Sequence, residues 1–198
     1  IPIPEYTPIK QHWHKLSFFS PLFANQKPGD EIIVMDIDQI ILSNIDDIIG
    51  YPVNDNEMIS YEKWWGTTAP RLNGGFYKFK SGECKAVWDT YIKAPEDWQL
   101  SYFKRMIVHH KYFGEQNFVE HIIDKNNINL KLIPGEWIGK ITNDEDQNLK
   151  NNVDYCKKFN KDYMVLDKPN PSLKVIHFAN PNTDIHNSNF SWIKDYWK

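Results

Sequence analysis

Two carboxylates stand two positions apart inside an otherwise apolar run, IIVMDIDQIIL at 32–42. We expect a strand from Glu31 to Asp36, because a continuous Ile-Ile-Val-Met run is typical of strands covered on both faces. Side chains two apart on an extended chain point the same way, so Asp36 and Asp38 can converge on one ligand at the carboxyl end of that strand. Neighbouring carboxylates repel each other unless a divalent cation lies between them, and hard oxygen ligands favour Mg²⁺ or Mn²⁺. The pair therefore predicts a metal site.

Two other arrangements also suit an Asp-x-Asp pair. One Asp can cap the following turn while the other pairs with a lysine, which needs no metal. The haloacid-dehalogenase phosphatases also begin with an apolar strand that runs into Asp-x-Asp, and the first Asp, here Asp36, is then a nucleophile. That class needs a later strand that ends in an acidic pair, whereas the later strands of this chain end in LIPGEW and IHFANP.

The composition is that of one ordinary globular domain, 1–198, because 41% of the 198 residues are hydrophobic. The formal net charge is −3 with acidic and basic residues interspersed, which argues against a nucleic-acid partner. No apolar stretch approaches the length of a membrane span. Cys84 and Cys156 lie far apart without a metal-ligand spacing, so we expect two free thiols in a soluble, cytoplasmic protein.

Strand and helix patterns alternate along the chain, which predicts an α/β layer architecture. The prolines at positions 2, 4 and 8 predict an extended, irregular start. Strands are expected at 31–36, 57–65, 71–80, 128–134 and 173–179. Helices are expected at 11–19, 43–50, 82–95, 115–126 and 190–197, with Ser43 or Asn44 beginning the second and Pro95 ending the third.

Five motifs then occur in order: HWHKL, IIVMDIDQIILSNIDDI, RLNGGFYKF, FGEQNFVEHII and KVIHFANP. In this order they resemble the metal-dependent GT-A glycosyltransferases, especially the glycogenin-like and the bacterial or phage galactosyltransferase-like group, over nearly the whole chain. The resemblance implies a GT-A-like, Rossmann-like mixed sheet flanked by helices. It also implies transfer of a sugar from a nucleotide-sugar donor, a UDP-sugar, to a hydroxyl group of a carbohydrate or other acceptor.

The same resemblance implies a metal site with three ligands. Asp36 and Asp38 would bind Mn²⁺ or Mg²⁺ together with the nucleotide diphosphate, and His177 from a late strand would complete the site. Asp38 is also a candidate catalytic residue on this basis. Imidazole is a good ligand for Mn²⁺, although a histidine in an apolar strand is also common as a core residue with satisfied hydrogen bonds.

Two further motifs match elements that contact the donor sugar in this group. Asn73, Gly74 and Gly75 correspond to an Asn-Ser-Gly or Asn-Ala-Gly element near the sugar, where missing side chains let the backbone approach a ligand. A β-bulge without a ligand is the alternative. Glu115 and Gln116 correspond to a catalytic Asp-Gln pair, with the carboxylate one methylene farther out. An acidic residue in the first turn of a helix is also ordinary helix-capping chemistry.

Phosphate and acceptor contacts are assigned to less specific residues. The group's His-x-x-Gly-x-x-Lys-Pro loop is represented by HFANPNTDIHN, which lacks both the glycine and the lysine. Lys15 or Lys140 would then meet the phosphate charge. Trp65, or its neighbour Trp64, and Trp137 are candidates to stack on a sugar ring.

The start of the chain departs from the resemblance. GT-A enzymes form the nucleoside pocket from a strand-helix-strand unit well before Asp-x-Asp, whereas 35 residues precede Asp36 here and the first residue is Ile1. We therefore expect a chain that lacks the N-terminal nucleotide-binding segment. A second hypothesis follows from this: a non-catalytic, carbohydrate-binding remnant of a transferase.

Overall fold

The strand β4, Leu72–Lys80, lies inside the larger sheet and is its most buried strand, with eight of its nine residues buried. Its sequence LNGGFYKFK combines small and aromatic residues, which suits a strand packed on both faces. The strand order of this sheet is β1 (Glu31–Met35), β4, β3 (Glu57–Glu62), β5 (Asn129–Leu132). A second sheet has the order β2 (Gln39–Ile41), β7 (Val175–Phe178), β6 (Ile138–Ile141). The computed structural model describes residues 9–63, 70–141, 173–178 and 193–196.

The described elements form a mixed α/β protein, as the sequence predicts. The other strands are β1 Glu31–Met35, β2 Gln39–Ile41, β3 Glu57–Glu62, β5 Asn129–Leu132, β6 Ile138–Ile141 and β7 Val175–Phe178. The helices are α1 Asp46–Ile49, α2 Lys85–Tyr91, α3 Pro95–Lys104, α4 Glu115–Lys125 and a last turn at Ile193–Tyr196, with 3₁₀ helices at Gln11–Phe19, Phe23–Asn25 and Gly135–Trp137. No helix of the described ranges is both long and apolar enough to cross a membrane.

The described residues divide into two compact units. Unit 1 comprises those within 1–34, 52–60 and 69–131, and unit 2 those within 35–51, 61–68 and 132–198. The prediction of a single domain over 1–198 stays a prediction.

Aromatic rings form the centre of the unit 1 core. Trp13 is fully buried and stacks on Tyr91, with ring centroids 5.4 Å apart, and it also contacts Phe118 at 5.7 Å. Phe19 stacks on Phe79 at 4.6 Å. These contacts pack the 3₁₀ helix Gln11–Phe19 against α2, α4 and β4. The core thereby fixes the position of α4.

The buried apolar side chains that the structure describes in unit 2 are mostly aliphatic, and many of them lie in or beside the smaller sheet. The central strand β7 pairs antiparallel with β2 and parallel with β6. Val175 and Ile176 on β7 are fully buried. Ile40 pairs with Ile176 across the sheet, Leu173 lies two residues before Val175, and both are buried. A β-carbon on Gly139 would lie 2.9 Å from the Leu173 side chain, so this position needs a glycine for close packing.

The strand expected over 31–36 is found as β1, and the apolar run at 32–42 continues beyond it into a second strand. β1 ends at Met35, Asp36 to Asp38 form a bend, and β2 begins at Gln39 in the other sheet. Ile37, between the two carboxylates, is 94% exposed. The prediction that this strand is covered on both faces was wrong, because Val34 is its one buried residue. A strand buried along its whole length would remove both carboxylates from water, which is costly. The bend keeps Asp36 and Asp38 accessible to water or to a ligand.

Other element boundaries differ from the predictions for local reasons. The helix at 11–19 is a 3₁₀ helix. The helix expected over 82–95 stops at Tyr91, and Pro95 begins a new helix, α3, because proline is well suited to the first position of a helix. The residue that precedes α1 is Ile45, and the Asn44 side chain accepts a hydrogen bond of 2.6 Å from the Asp46 amide.

The Cys84 thiol is expected to be inert in the folded protein. It is free and fully buried, and burial raises its pKa from 9.0 to about 12. In a Cys156→Ser variant, which leaves Cys84 alone, we expect labelling by Ellman's reagent to be about a thousandfold slower than in denaturant, because the thiolate is that much rarer. Because the folded pKa is raised, the thiol's contribution to stability is complete below about pH 9 and is lost towards about pH 12. Rapid labelling without denaturant would contradict this; Cys156 itself lies outside the described residues.

Candidate metal site and the Gly74 cluster

Strand pairing in unit 2 brings His177 to the Asp-x-Asp bend. In the antiparallel pair β2·β7, His177 lies opposite Gln39, the residue that follows Asp38. Its place on β7 follows from the Val-Ile-His-Phe pattern, but its neighbour across the sheet depends on the register of two strands that are distant in sequence. The bend, the start of β2 and β7 therefore position three potential ligands together.

The three side chains form a compact group with one exposed side. His177 Nε2 lies 3.1 Å from Asp38 Oδ1 and 3.9 Å from Asp36 Oδ2. One ligand atom from each residue lies within 4.8 Å of the other two. The His177 side chain is 7% exposed and that of Asp38 49% exposed. The group is thus held by a buried imidazole and opens to solvent through Asp38.

The donor set fits one divalent ion. Opposite ligands about 2.1 Å from Mg²⁺ are about 4.2 Å apart, and larger ions separate them further, so atoms this close need little adjustment. Two carboxylates and one imidazole supply three positions and two negative charges, which leaves positions for water or a phosphate oxygen.

A buried tyrosine supports the strand next to the bend. The Tyr61 hydroxyl donates a 3.2 Å hydrogen bond to Gln39 Oε1, and both side chains are buried. Burial first, and then the negative charge of Asp36, raise the pKa of Tyr61 above its ordinary value. Tyr61 therefore stays protonated and keeps donating to Gln39, which fixes the start of β2 directly after Asp38.

A second polar group lies in unit 1 and gathers most of the other predicted residues. We call it the Gly74 cluster; its members are Lys15, Asn73, Gly74, Gly75, Tyr77, Glu115 and Gln116. Lys15 Nζ donates to the Gly74 carbonyl at 2.8 Å, and the Gly74 amide donates to Gln116 Oε1 at 3.0 Å. The Tyr77 hydroxyl donates to Glu115 Oε1 at 2.7 Å. The backbone of Gly74 is thus held from both sides.

Gly74 leaves room for this close approach. A β-carbon there would lie 3.0 Å from both Glu115 Oε2 and the Tyr77 hydroxyl. The Asn73 side chain accepts a 2.7 Å hydrogen bond from the Gly75 amide, and the Ser60 hydroxyl contacts the Asn73 carbonyl at 2.9 Å. The Asn-Gly-Gly element therefore has a structural function in β4 whether or not a ligand approaches it.

Comparison of the sequence with models of known protein families and with curated proteins finds no match.

The remaining predicted residues are placed less completely. Lys140 lies in β6, where its backbone is in register with His177, and its side chain is outside the described part. Trp64 and Trp65 also lie outside the described residues. Trp137 is half-buried, in edge contact with the Tyr51 ring at 5.9 Å. Their roles towards phosphate and sugar stay predictions.

Three supporting residues were missed from the sequence. Tyr61 and Gln39 stabilise the bend, and Tyr77 holds Glu115. Tyr61 and Tyr77 lie in buried strands, where nothing local separates them from ordinary core side chains. Only their partners across the fold show the difference.

Proposed function

We propose that this chain is a metal-dependent glycosyltransferase with a GT-A-like fold. It would transfer a sugar from a nucleotide-sugar, a UDP-sugar, to a hydroxyl group of a carbohydrate or other acceptor, with Mn²⁺ or Mg²⁺ as cofactor. The observation that carries the proposal is the grouping of Asp36, Asp38 and His177 within 4.8 Å. The mixed α/β architecture and the order of the motifs along the chain support it.

The chemistry follows from the charges of the donor. The leaving nucleoside diphosphate gains negative charge as the bond to the sugar breaks, and a bound divalent ion supplies the Lewis acid that stabilises that charge. Asp36 and Asp38 would hold the ion, and neutral His177 would offer the lone pair of Nε2. Tyr61 and Gln39 keep the bend in place, so little reorganisation is needed on binding.

Glu115 and Gln116 are proposed to contact the donor sugar. Their hydrogen bonds to Tyr77 and Gly74 hold the carboxylate and the amide in fixed orientations. Fixed polar groups lose little conformational entropy when they bind a sugar hydroxyl, which favours recognition.

The proposal is tested by thermal unfolding with metal and nucleotides. Mn²⁺ is expected to raise the melting temperature over that in EDTA, and UDP is expected to raise it further only when Mn²⁺ is present. A ligand at about 100 times its Kd adds about 2.7 kcal/mol, which is about 5–10 °C for a chain of this size. ADP, GDP and CDP serve as matched controls for the base, and release of UDP from UDP-sugars measures turnover.

Each outcome separates the candidate functions. A Mn²⁺-dependent UDP shift with turnover of a UDP-sugar supports the transferase. A shift with Mn²⁺ but with none of the nucleoside diphosphates, together with absent turnover, contradicts it and supports the non-catalytic remnant. Hydrolysis of p-nitrophenyl phosphate that is lost in Asp36→Asn would instead support the phosphatase.

A further inference from the structure

The segment after α3 exposes apolar and basic side chains side by side. We call its exposed residues the Met106 surface; they are Phe103, Lys104, Arg105, Met106, Ile107, His109, His110 and Lys111. Met106 is 91% exposed, and Phe103 and Ile107 are exposed beside it. Phe103, Met106 and Ile107 help to line an open depression of about 660 Å³. Contiguous exposed apolar side chains of this kind mark interaction surfaces more often than scattered single ones do.

The backbone holds Met106 outward at a conformational cost. α3 ends in a Schellman motif, in which the Met106 amide donates to the Phe103 carbonyl and the Ile107 amide to the Tyr102 carbonyl, both at 2.9 Å. Met106 occupies the left-handed position of this motif with φ 58°, where glycine is the usual residue. The chain thus accepts both backbone strain and an exposed apolar side chain at one position, which is typical of functional sites.

The charged residues near Met106 in the sequence are all basic. Residues 98–114 contain no Asp or Glu, although the whole chain has a net charge of −3. Lys104, Arg105 and Lys111 form no ion pair within the described part of the chain. The nearest acidic residues of α3, Glu96 and Asp97, lie in its first turn, about 10 Å from Lys104 along the helix axis.

We propose that the Met106 surface binds the surface of an anionic lipid bilayer. Phe103, Met106 and Ile107 would enter the boundary between headgroups and acyl chains while the lysine and arginine side chains contact lipid phosphates. A second copy of the chain is a poorer partner, because a symmetric contact would place like charges against each other. Single-stranded RNA is also a poorer partner, because successive bases stack on several exposed aromatic rings. Phe103 is exposed on this surface, but Tyr112 and Phe113, farther along the sequence, are only partly exposed.

Sedimentation of the full chain with vesicles tests the proposal. We expect binding to phosphatidylcholine vesicles that contain phosphatidylglycerol, loss of binding at high salt, and little binding to phosphatidylcholine alone. Replacing Lys104, Arg105 and Lys111 together by Gln is expected to weaken binding about a hundredfold, since each cation near the membrane contributes about fivefold.

Met106→Gly separates binding from folding. Glycine relieves the backbone strain, so the melting temperature is expected to stay or rise while vesicle binding falls. Leu22→Ser is the matched control, because Leu22 is also an exposed apolar residue of unit 1 but lies outside this surface, and its binding should equal that of the wild type. Asp38→Asn should also leave vesicle binding unchanged, so failure here is distinct from failure of the proposed transferase.

Several results would overturn the proposal. These are absent vesicle binding, equal binding to neutral and anionic vesicles, and binding that Met106→Gly and the triple Gln variant leave unchanged. Light scattering that shows a dimer, lost in Met106→Gly, would assign the surface to a second copy. Binding of single-stranded RNA without vesicle binding would assign it to nucleic acid.

Discussion

Asp38→Asn is expected to abolish the rise in melting temperature that Mn²⁺ gives the wild-type protein. The amide keeps the shape of the side chain near His177 Nε2, now 3.1 Å from Asp38 Oδ1, but removes one of two negative charges from the ligand set. Loss of a supporting group around a metal costs about 10–100-fold in affinity, so loss of a charged ligand is expected to cost more than about a hundredfold. Turnover of a UDP-sugar should disappear with the metal response.

The same variant should still unfold cooperatively in EDTA. Asp38 is half-exposed, and the apolar core of unit 2 does not depend on its charge. Titration calorimetry with Mn²⁺ gives the affinity directly, and Asp36→Asn and His177→Gln should show the same loss.

Glu136→Gln is the matched control for charge. Glu136 is an exposed carboxylate of unit 2 outside the group of three, so its replacement changes the net charge by the same amount. A Mn²⁺ response that survives in Asp38→Asn, or that is lost equally in Glu136→Gln, would rule out coordination by the bend.

Gly114→Ala is expected to lower the free energy of unfolding by about 3–5 kcal/mol. Gly114 precedes α4 with φ 112°, which costs other residues about 1–3 kcal/mol. A β-carbon there would also lie 2.7 Å from the Tyr102 β-carbon, and overpacking of this kind adds about 1–3 kcal/mol. Urea unfolding at equilibrium measures the loss, which is large against a typical total of about 5–15 kcal/mol.

Gly82→Ala separates the two contributions. Gly82 also has a positive φ, 96°, but a β-carbon there meets nothing within 4 Å. Its replacement is therefore expected to cost only the backbone part, about 1–3 kcal/mol. If both variants lose the same stability, the contact between Gly114 and Tyr102 is not as tight as the structure indicates.

The sequence by itself determined the elements that local pattern defines. The helix expected at 115–126 is found as α4, Glu115–Lys125, and the strand expected at 71–80 as β4, Leu72–Lys80. Periodicity and capping residues act within a few positions of the chain, so they can be read without the fold. The short distance between Asp36 and Asp38 likewise follows from their spacing of two positions in the chain.

Where the pattern was ambiguous, tertiary packing decided. The run at 32–42 is apolar on both sides of its carboxylates, and the sequence predicted the strand before them but not the second strand, which belongs to another sheet. Pro95 can end one helix or begin the next, and the core contacts of Tyr102 with its neighbours favour a second helix here. Local propensity is a weak prior when burial competes with it.

The candidate sites belong to the tertiary structure. His177 and Asp38 are 139 residues apart in the sequence and meet because β7 pairs with β2 in one register. The resemblance to glycosyltransferases implies His177 as a ligand. The residues beside it in the sequence do not indicate which carboxylate it contacts. Lys15 and Gln116 likewise reach Gly74 only through the packing of unit 1. Strand register and core packing are set by contacts between distant segments, which is why the fold alone assembles these groups.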